Sequence, residues 1–405
     1  MRAAMARRGR APQAFRFDIV GCLTRAGAWS LTGSGATLST VRAQAALSAY
    51  TTLGLGGPAG ALIEAGSAEQ IVSVVLAADE SAEPVLVLGG GSNLVVADEG
   101  FPGTVVRVTS QGIAVDAVDG GDDHAVTVTV AAGEPWDRLV EWSVAEGLAG
   151  LECLSGIPGL TGATPIQNVG AYGQDVSETI AAVRVYDRRR GEVADLTGAQ
   201  CEFGYRTSML KRAAAGTATG RFVVLGVSFR LRREAGPALS APVRYQELAG
   251  RLDVPLGERV PLAQARSAVL ALRRGKGMVL DPADPDSRSA GSFFTNPVLT
   301  AGQFAELRRR AAARCGPDTP VPHFDGDGGT VKVPAAWLID RAGFPKGYPV
   351  GGAVRISSKH TLALTHPGGG QTADLLALAR EITAGVRAAF GVDLANEPVL
   401  VGVTL

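Results

Sequence analysis

The chain has 405 residues, 46% of them hydrophobic and 19% charged, a length for two or three domains and a balance ordinary for a globular enzyme. With 39 basic and 39 acidic side chains the net charge is zero, which argues against nucleic acid or a membrane surface as the main partner. No apolar run reaches the roughly 18 residues of a spanning helix, and Cys22, Cys153, Cys201 and Cys315 are scattered without a C-x-x-C pair, so zinc and a disulfide framework are not expected and a reducing compartment, the cytoplasm, fits.

Met1 to Arg16 carry several arginines and no acid, and Asp18 breaks the apolar stretch that follows, a poor fit to a secretory signal. Residues 1–40 are expected to be a disordered extension or a start placed too far upstream, with a targeting peptide as the alternative. Order is expected from Val41. Ser67 to Glu80 reads as a helix, with Ser67 and Gln70 in capping-box spacing and Ile71, Val74, Val75 and Ala78 on one face. Pro84 to Leu88 is a short apolar strand running into Gly89-Gly90-Gly91-Ser92-Asn93. Backbone N–H groups converge in such turns and can meet a phosphate; a hairpin turn explains the same string. It is not G-x-G-x-x-G, and Val95-Val96 and Val105 to Val108 continue as strands, which argues against a dinucleotide-binding Rossmann unit. Ala125 to Val130 alternates as a strand, and Pro135 to Gly147 is a helix with Trp136, Leu139, Val140 and Val144 on one face. His124, in an acidic turn, is expected on the solvated surface.

Leu154 to Gly173 holds five glycines and two prolines with few charges, and Ile157, Leu160, Ile166 and Val169 lie between them. A solvated linker would carry more Ser, Lys or Glu. Two readings stand: a buried loop whose backbone approaches something flat or phosphorylated, or a tight turn in a β-rich core. Val183 to Tyr186 and Val193 to Leu196 read as strands joined by Arg188-Arg189-Arg190-Gly191, a solvated hairpin rather than a phosphate clamp. In Phe203-Gly204-Tyr205-Arg206-Thr207-Ser208-Met209-Leu210-Lys211, Arg206 sits among apolar residues and needs a partner; a carboxylate would suit its fork.

Phe222 to Leu231 is a strand that closes a first domain, 41–232, and a linker leads to a second, 240–405. Pro261 to Arg274 is a helix ending in Arg273-Arg274-Gly275-Lys276-Gly277. Asp281, Asp284 and Asp286 do not have the spacing of a calcium loop and are expected to be solvated; no metal site is expected. Ala290-Gly291-Ser292-Phe293-Phe294-Thr295-Asn296-Pro297 has no nearby His and is not a hydrolase elbow. Thr300 to Gly316, Val333 to Gly343 and Thr372 to Phe390 read as helices, and Val350 to Gly352 with Lys359 to Leu364 as a strand region.

G-I-P-G-x-x-G-x-x-P-I-Q-N-x-G-A-Y-G, the FGYR and GSFFTNP strings, Tyr50 to Ala59 and the closing Leu394 to Gly402 resemble, in order, the motifs of the UDP-N-acetylenolpyruvoylglucosamine reductases, or UDP-N-acetylmuramate dehydrogenases. The likeness covers roughly residues 41 to 402. Pro242 to Leu248 resembles the tyrosine-bearing loop of one subtype. The resemblance implies an α+β fold: a two-lobed FAD-binding domain of the vanillyl-alcohol oxidase type, then a substrate domain whose last strand returns to the active site. It implies FAD, NADPH as reductant and UDP-N-acetylglucosamine enolpyruvate as substrate; the FAD is expected to be noncovalent, because neither His124 nor Cys153 has a tethering context, and the chain is expected to be a monomer. It assigns catalysis to Arg206, Ser292 (proton donor) and Glu397. It gives the cofactor Gly89, Gly90, Gly91, Ser92, Asn93, Ile157, Gly159, Gly162, Thr164, Ile166, Gln167, Asn168, Gly170, Tyr172 and Arg273, and the substrate Tyr245, Lys276, Asn296 and His360. Three positions depart from the pattern: Gly54 replaces an expected basic residue, His360 an expected Gln, and Asn396-Glu397-Pro398 the commoner Pro-Glu-Val. The rivals are an FAD oxidase of the same fold acting on another sugar or alcohol, and a nucleotide-binding module without catalysis.

Overall fold

The structure, a computed structural model, describes residues 28–30, 40–116, 124–214, 217–234 and 236–405. Most of residues 1–40, and the acidic turn before His124, lie outside them. Ala28–Ser30 is a strand paired antiparallel with Thr40–Arg42, so part of the expected extension belongs to a sheet.

Two lobes make the first half. The first is a sheet in the order Ala28–Ser30, Thr40–Ala43, Ala59–Ala65, Phe101–Val108, Val85–Leu88, with its last three strands parallel. Helix Ala68–Glu80 lies over it and buries Ile71, Val75 and Ala78. Ser67 caps that helix by accepting from the Gln70 N–H at 3.2 Å, while the Gln70 amide oxygen accepts from Gly66. The second lobe is an antiparallel sheet in the order Glu192–Thr197, Ile180–Asp187, Phe222–Arg233, Ala125–Ala131, Ile113–Val115. Helix Trp136–Ala145 packs on it through Trp136, fully buried against Phe229.

The Arg188–Arg190 turn is not simply solvated. Arg188 grips Asp79 of the first-lobe helix with two bonds, at 2.5 and 3.0 Å, and also donates to the Thr219 and Gly220 carbonyls. Its donors are thus taken by protein acceptors.

In the second half, helices Ala301–Cys315, Ala335–Ala342 and Thr372–Phe390 pack around short antiparallel strands. The last helix buries Leu375, Leu376, Ala379, Ile382, Val386 and Phe390 on one face, each large side chain contributing about 1.5–3 kcal/mol. The strand region expected at 350–364 is shorter: Arg355–Ile356 and Ala363–Thr365 are strands, and 350–352 is a turn. Asp286 is buried, not solvated; it accepts from the Ser358 hydroxyl at 2.5 Å, while Asp284 pairs with Lys359 at 2.8 Å. Ser358 and Lys359 are distant in sequence, so nothing local announced these partners.

Helices Gln246–Leu252 and Leu262–Gly275 pack against Cys153 and against Tyr172 of the glycine-rich segment, and Arg266 pairs with Asp137 at 2.6 Å. They side with the first domain, while the second core runs from Ala290 onward and takes in Leu53, Leu55 and Val95 from the first half.

The halves are locked where the site lies. Asp98 of the first lobe accepts the N–H groups of Thr372 and Ala373 at 2.8 and 2.9 Å, placing a carboxylate at a helix N-terminus. Strand Val399–Val401 returns to pair in parallel with Leu94–Val96, directly after the Gly89–Asn93 turn.

Candidate active site

The two glycine-rich segments meet backbone to backbone. A Cβ on Gly90 would stand 2.7 Å from the Cα of Gly159, and one on Gly91, whose φ is +62°, would overlap the Tyr50 carbonyl. Only glycine permits that approach. Ser92 seals the contact by donating its hydroxyl to the Pro158 carbonyl at 3.0 Å. Beside this junction opens a cavity of about 1280 Å³, ample for a dinucleotide-sized ligand.

Of the residues expected to hold the cofactor, Gly89, Gly90, Gly91, Ser92, Asn93, Ile157, Gly159, Gly162, Thr164, Ile166, Gln167, Gly170 and Arg273 line this cavity. Asn168 and Tyr172 do not. Asn168 is buried with φ +50°; its amide donates to the Gly204 carbonyl at 3.1 Å and its oxygen accepts from Ser177 N–H at 3.1 Å. Its side chain ties two loops together instead of facing the cavity. Tyr172 packs against helices Gln246–Leu252 and Leu262–Gly275, edge-on to Tyr245 with ring centroids 5.6 Å apart, and burial lifts its phenol to about 12.

The cavity suits FAD. Gly90 and Gly91 leave no room for a side chain, so their backbone itself lines the cavity, where N–H groups can meet a phosphate. Arg273 is 7% exposed, and burial pulls its guanidinium down to about 10. One of its terminal nitrogens donates to the Met278 carbonyl at 2.8 Å, and its Nε has no hydrogen-bond partner among the described residues. A buried cation with an unmet donor is stabilised by an anion.

Arg206, Glu397 and Ser292 line the same cavity. Arg206 takes φ +51° in the turn closed by Gly204 and Thr207. Its guanidinium donates to the carbonyls of Asn168 at 3.3 Å and Gly170 at 2.7 Å, and its Nε lies 3.2 Å from Glu397 Oε1. Burial pushes the Glu397 carboxyl above its usual range, against the opposing pull of Arg206 and Lys211. The backbone fixes this carboxylate from two sides: Glu397 N–H donates to the Phe293 carbonyl at 2.8 Å, and Val399 N–H to the Asn93 carbonyl at 2.9 Å. Asn93 donates to Gln167 at 3.1 Å, and Gln167 reaches Glu397 at 3.5 Å. The GGGSN turn, the PIQN segment and the chain end thus form one network. Ser292 ends strand Ser289–Ser292 after Gly291, at φ +73°, and its hydroxyl has no hydrogen-bond partner among the described residues.

The expected substrate residues stand apart from the large cavity. Lys276 lies 5.6 Å from the Tyr172 ring centroid and pairs with Glu247 at 2.6 Å; half-exposed Tyr245 completes the group. His360 is pushed down to about 4, first by loss of solvent and then by Lys276, Lys346 and Arg273. Asn296 lines a neighbouring cavity of about 490 Å³ with Tyr205, Arg206 and Lys211. Its Oδ1 accepts from Ala335 N–H at 2.9 Å, at the start of a helix, so part of its role is structural. Sequence reasoning passed over Lys211, which lines both cavities. The available signal was a second cation five residues beyond Arg206.

Residues 282–401 match the family model for the C-terminal domain of UDP-N-acetylenolpyruvoylglucosamine reductase, and residues 59–197 match an FAD-binding domain model. The UDP-N-acetylenolpyruvoylglucosamine reductase of Thermobifida fusca is 57% identical over 360 residues, covering 89% of this chain and 97% of its own. That of Streptomyces coelicolor is 54% identical over 361 residues, covering 89% and 90%. The crystal structure of the Thermus caldophilus enzyme of that name aligns at a TM-score of 0.58 and 25% identity, over 90% of this chain and 98% of its own. The fold is therefore a two-lobed FAD-binding domain of the vanillyl-alcohol oxidase type with a reductase C-terminal domain, and the chain belongs to the UDP-N-acetylenolpyruvoylglucosamine reductase family.

Proposed function

We propose that Arg206, Glu397 and Ser292 carry out the reduction that this family performs, with the glycine turns and Arg273 as the cofactor cradle. The chain is a flavin-dependent UDP-N-acetylmuramate dehydrogenase that uses FAD and NADPH in peptidoglycan precursor synthesis. Bound FAD supplies hydride transfer from NADPH to the vinyl CH₂ carbon of UDP-N-acetylglucosamine enolpyruvate.

Hydride addition at that carbon builds negative charge on the substrate carboxylate. Arg206 stabilises that charge, and Glu397 orients the guanidinium and polarises the same region. The α carbon then takes a proton from the Ser292 hydroxyl, a weak acid that suffices toward a strongly basic enolate within hydrogen-bond reach. The double bond is thereby reduced by one hydride and one proton, giving UDP-N-acetylmuramate. The observation that carries this reading is the 3.2 Å Arg206–Glu397 pair on the wall that also bears Ser292 and both glycine turns.

Tyr245, Lys276 and His360 are the groups we assign to the nucleotide-sugar end, with Asn296 beside Arg206. Tyr245, edge-on to the Tyr172 ring that also faces the Lys276 ammonium, supports membership of the tyrosine-loop subtype. Lys276 would meet the diphosphate by exchanging Glu247 for it. We assign the enzyme to the cytoplasm, with the precursor synthesis it serves, and expect it to work as a monomer; among the described residues no helix is long and apolar enough to cross a membrane.

The test is anaerobic stopped flow. NADPH-reduced enzyme should be reoxidised rapidly by UDP-N-acetylglucosamine enolpyruvate and only slowly by O₂. Fast reoxidation by O₂ and none by the enolpyruvyl compound would make the chain an oxidase.

A further inference from the structure

Arg206 holds a left-handed backbone that a side chain other than glycine adopts only when its surroundings enforce it. Gly204 and Thr207 bracket it with reciprocal backbone bonds of 3.0 and 3.2 Å. The remaining restraint on its own peptide is Lys211, whose ammonium donates to the Arg206 carbonyl at 3.1 Å. Lys211 stands on the one-turn helix Met209–Arg212, and that helix is anchored in turn. Ser208 accepts the Lys211 N–H at 3.2 Å and donates its hydroxyl to the Ile166 carbonyl at 2.5 Å, inside the glycine-rich segment. The backbone of the lysine is thus held by Ser208 while its ammonium holds the Arg206 carbonyl.

The setting of the ammonium is unusual for a lysine. It is half-buried and lines the cavity beside Arg206 and Glu397. Loss of solvent pulls it below its ordinary range; Glu397 opposes that pull and Arg206 adds to it. An ammonium has three donors, and the Arg206 carbonyl is the one hydrogen-bond acceptor it has among the described residues. A surface cation with a solvated stem would avoid such a place.

We propose that Lys211 is a positioning residue for the reduction: by clamping the Arg206 carbonyl it fixes the left-handed turn that delivers the guanidinium to Glu397, and it places a second positive charge beside that carboxylate. The inference rests on Arg206 and Glu397 serving the reaction as proposed above. Without Lys211 the turn relaxes, the guanidinium leaves the Asn168 and Gly170 carbonyls, and the substrate carboxylate meets a misaimed cation. Hydride delivery from NADPH does not use that carboxylate and is unaffected.

The experiment is K211M, which keeps the stem and removes charge and donor. FAD content, melting temperature and flavin reduction by NADPH should stay near wild type. Reoxidation by the enolpyruvyl substrate should slow on the order of 10- to 100-fold, in kcat more than in KM, as misplacement of an aligned group does. The charged groups around Glu397 are Arg206 and Lys211, with the Tyr205 phenol near it. Loss of one cation disfavours the carboxylate, so the acid limb of the reoxidation rate should move to higher pH in K211M. K211R should recover most of the rate and the wild-type limb. A crystal structure of K211M should have Arg206 out of the left-handed region. If K211M does not retain flavin, K211Q takes its place in the same measurements. Wild-type reoxidation in K211M, equal slowing of both half-reactions, or an unmoved acid limb overturns the proposal. R206K tests the underlying reading separately: normal turnover there removes the role of Arg206 itself, whatever K211M does.

Discussion

Ser292 and Glu397 are more than 100 residues apart in sequence yet share one backbone junction, because Glu397 N–H donates to the carbonyl of Phe293, the residue after Ser292. The Ser292 hydroxyl and the Glu397 carboxylate therefore cannot drift independently. If Ser292 gives its proton to the α carbon, S292A should reduce its flavin with NADPH at a near-normal rate, since that step needs no acid there. Reoxidation by the enolpyruvyl substrate should fall by about 10²- to 10⁴-fold or more, the usual worth of a general acid. S292C should retain part of the rate. A serine needed only for folding between Gly291 and Phe293 would instead slow both half-reactions equally and lower the melting temperature; stopped flow on each half-reaction separates the two outcomes.

The two glycine turns meet at the cavity wall, and their tolerance is set by backbone, which cannot swing aside. G90A would drive a methyl against the Gly159 Cα at 2.7 Å. Overpacking of this kind typically costs about 1–3 kcal/mol, and here it also parts the loops that line the cavity. Purified G90A should carry much less flavin per chain after gel filtration than wild type, and melt lower. Gly275, at the end of helix Leu262–Gly275 with open space where a Cβ would go, is the control: G275A should keep its flavin. Full flavin occupancy in G90A would show that the contact is not needed for the cradle.

Across the whole molecule, the halves are joined around the cavity rather than beside it. Asp98 caps the helix that begins at Thr372, Thr52 donates to the Ser289 carbonyl at 2.6 Å, and the final strand inserts beside Leu94–Val96. A ligand filling the space between them binds the folded state alone, so FAD should act as a structural brace. Removing it should lower the melting temperature, and added FAD should restore it in a concentration-dependent way, by about 2.7 kcal/mol at a hundredfold excess over Kd. The flavin should come free on acid precipitation. Cys153 is buried with its thiol pushed up to about 12, which makes it a poor nucleophile for tethering. Flavin left in the washed pellet, or a melting temperature indifferent to FAD, would contradict this.

What the chain specified by itself was local or motif-borne. Ser67 caps the helix that its spacing announced, Thr300 and Gln303 form their capping box, and Thr372–Phe390 is the helix that its apolar period marks, because an i, i+3 or i, i+4 relation is settled within a few residues. Arg206, Glu397, Ser292 and the glycine turns were legible because each stands in a recognisable string, and they do line one cavity. Tertiary structure decided the rest. It turned Asn168 into a tie between loops and gave Asn296 a helix start to hold. It buried Asp286 under Ser358, and it brought Arg188 to Asp79. It also set the Lys211 ammonium on the Arg206 carbonyl, a contact between near neighbours that depends on a left-handed turn the sequence does not display. Side-chain donors and acceptors are satisfied by whatever the fold brings within about 3 Å, and for most of these residues that partner is supplied by a distant stretch of the chain.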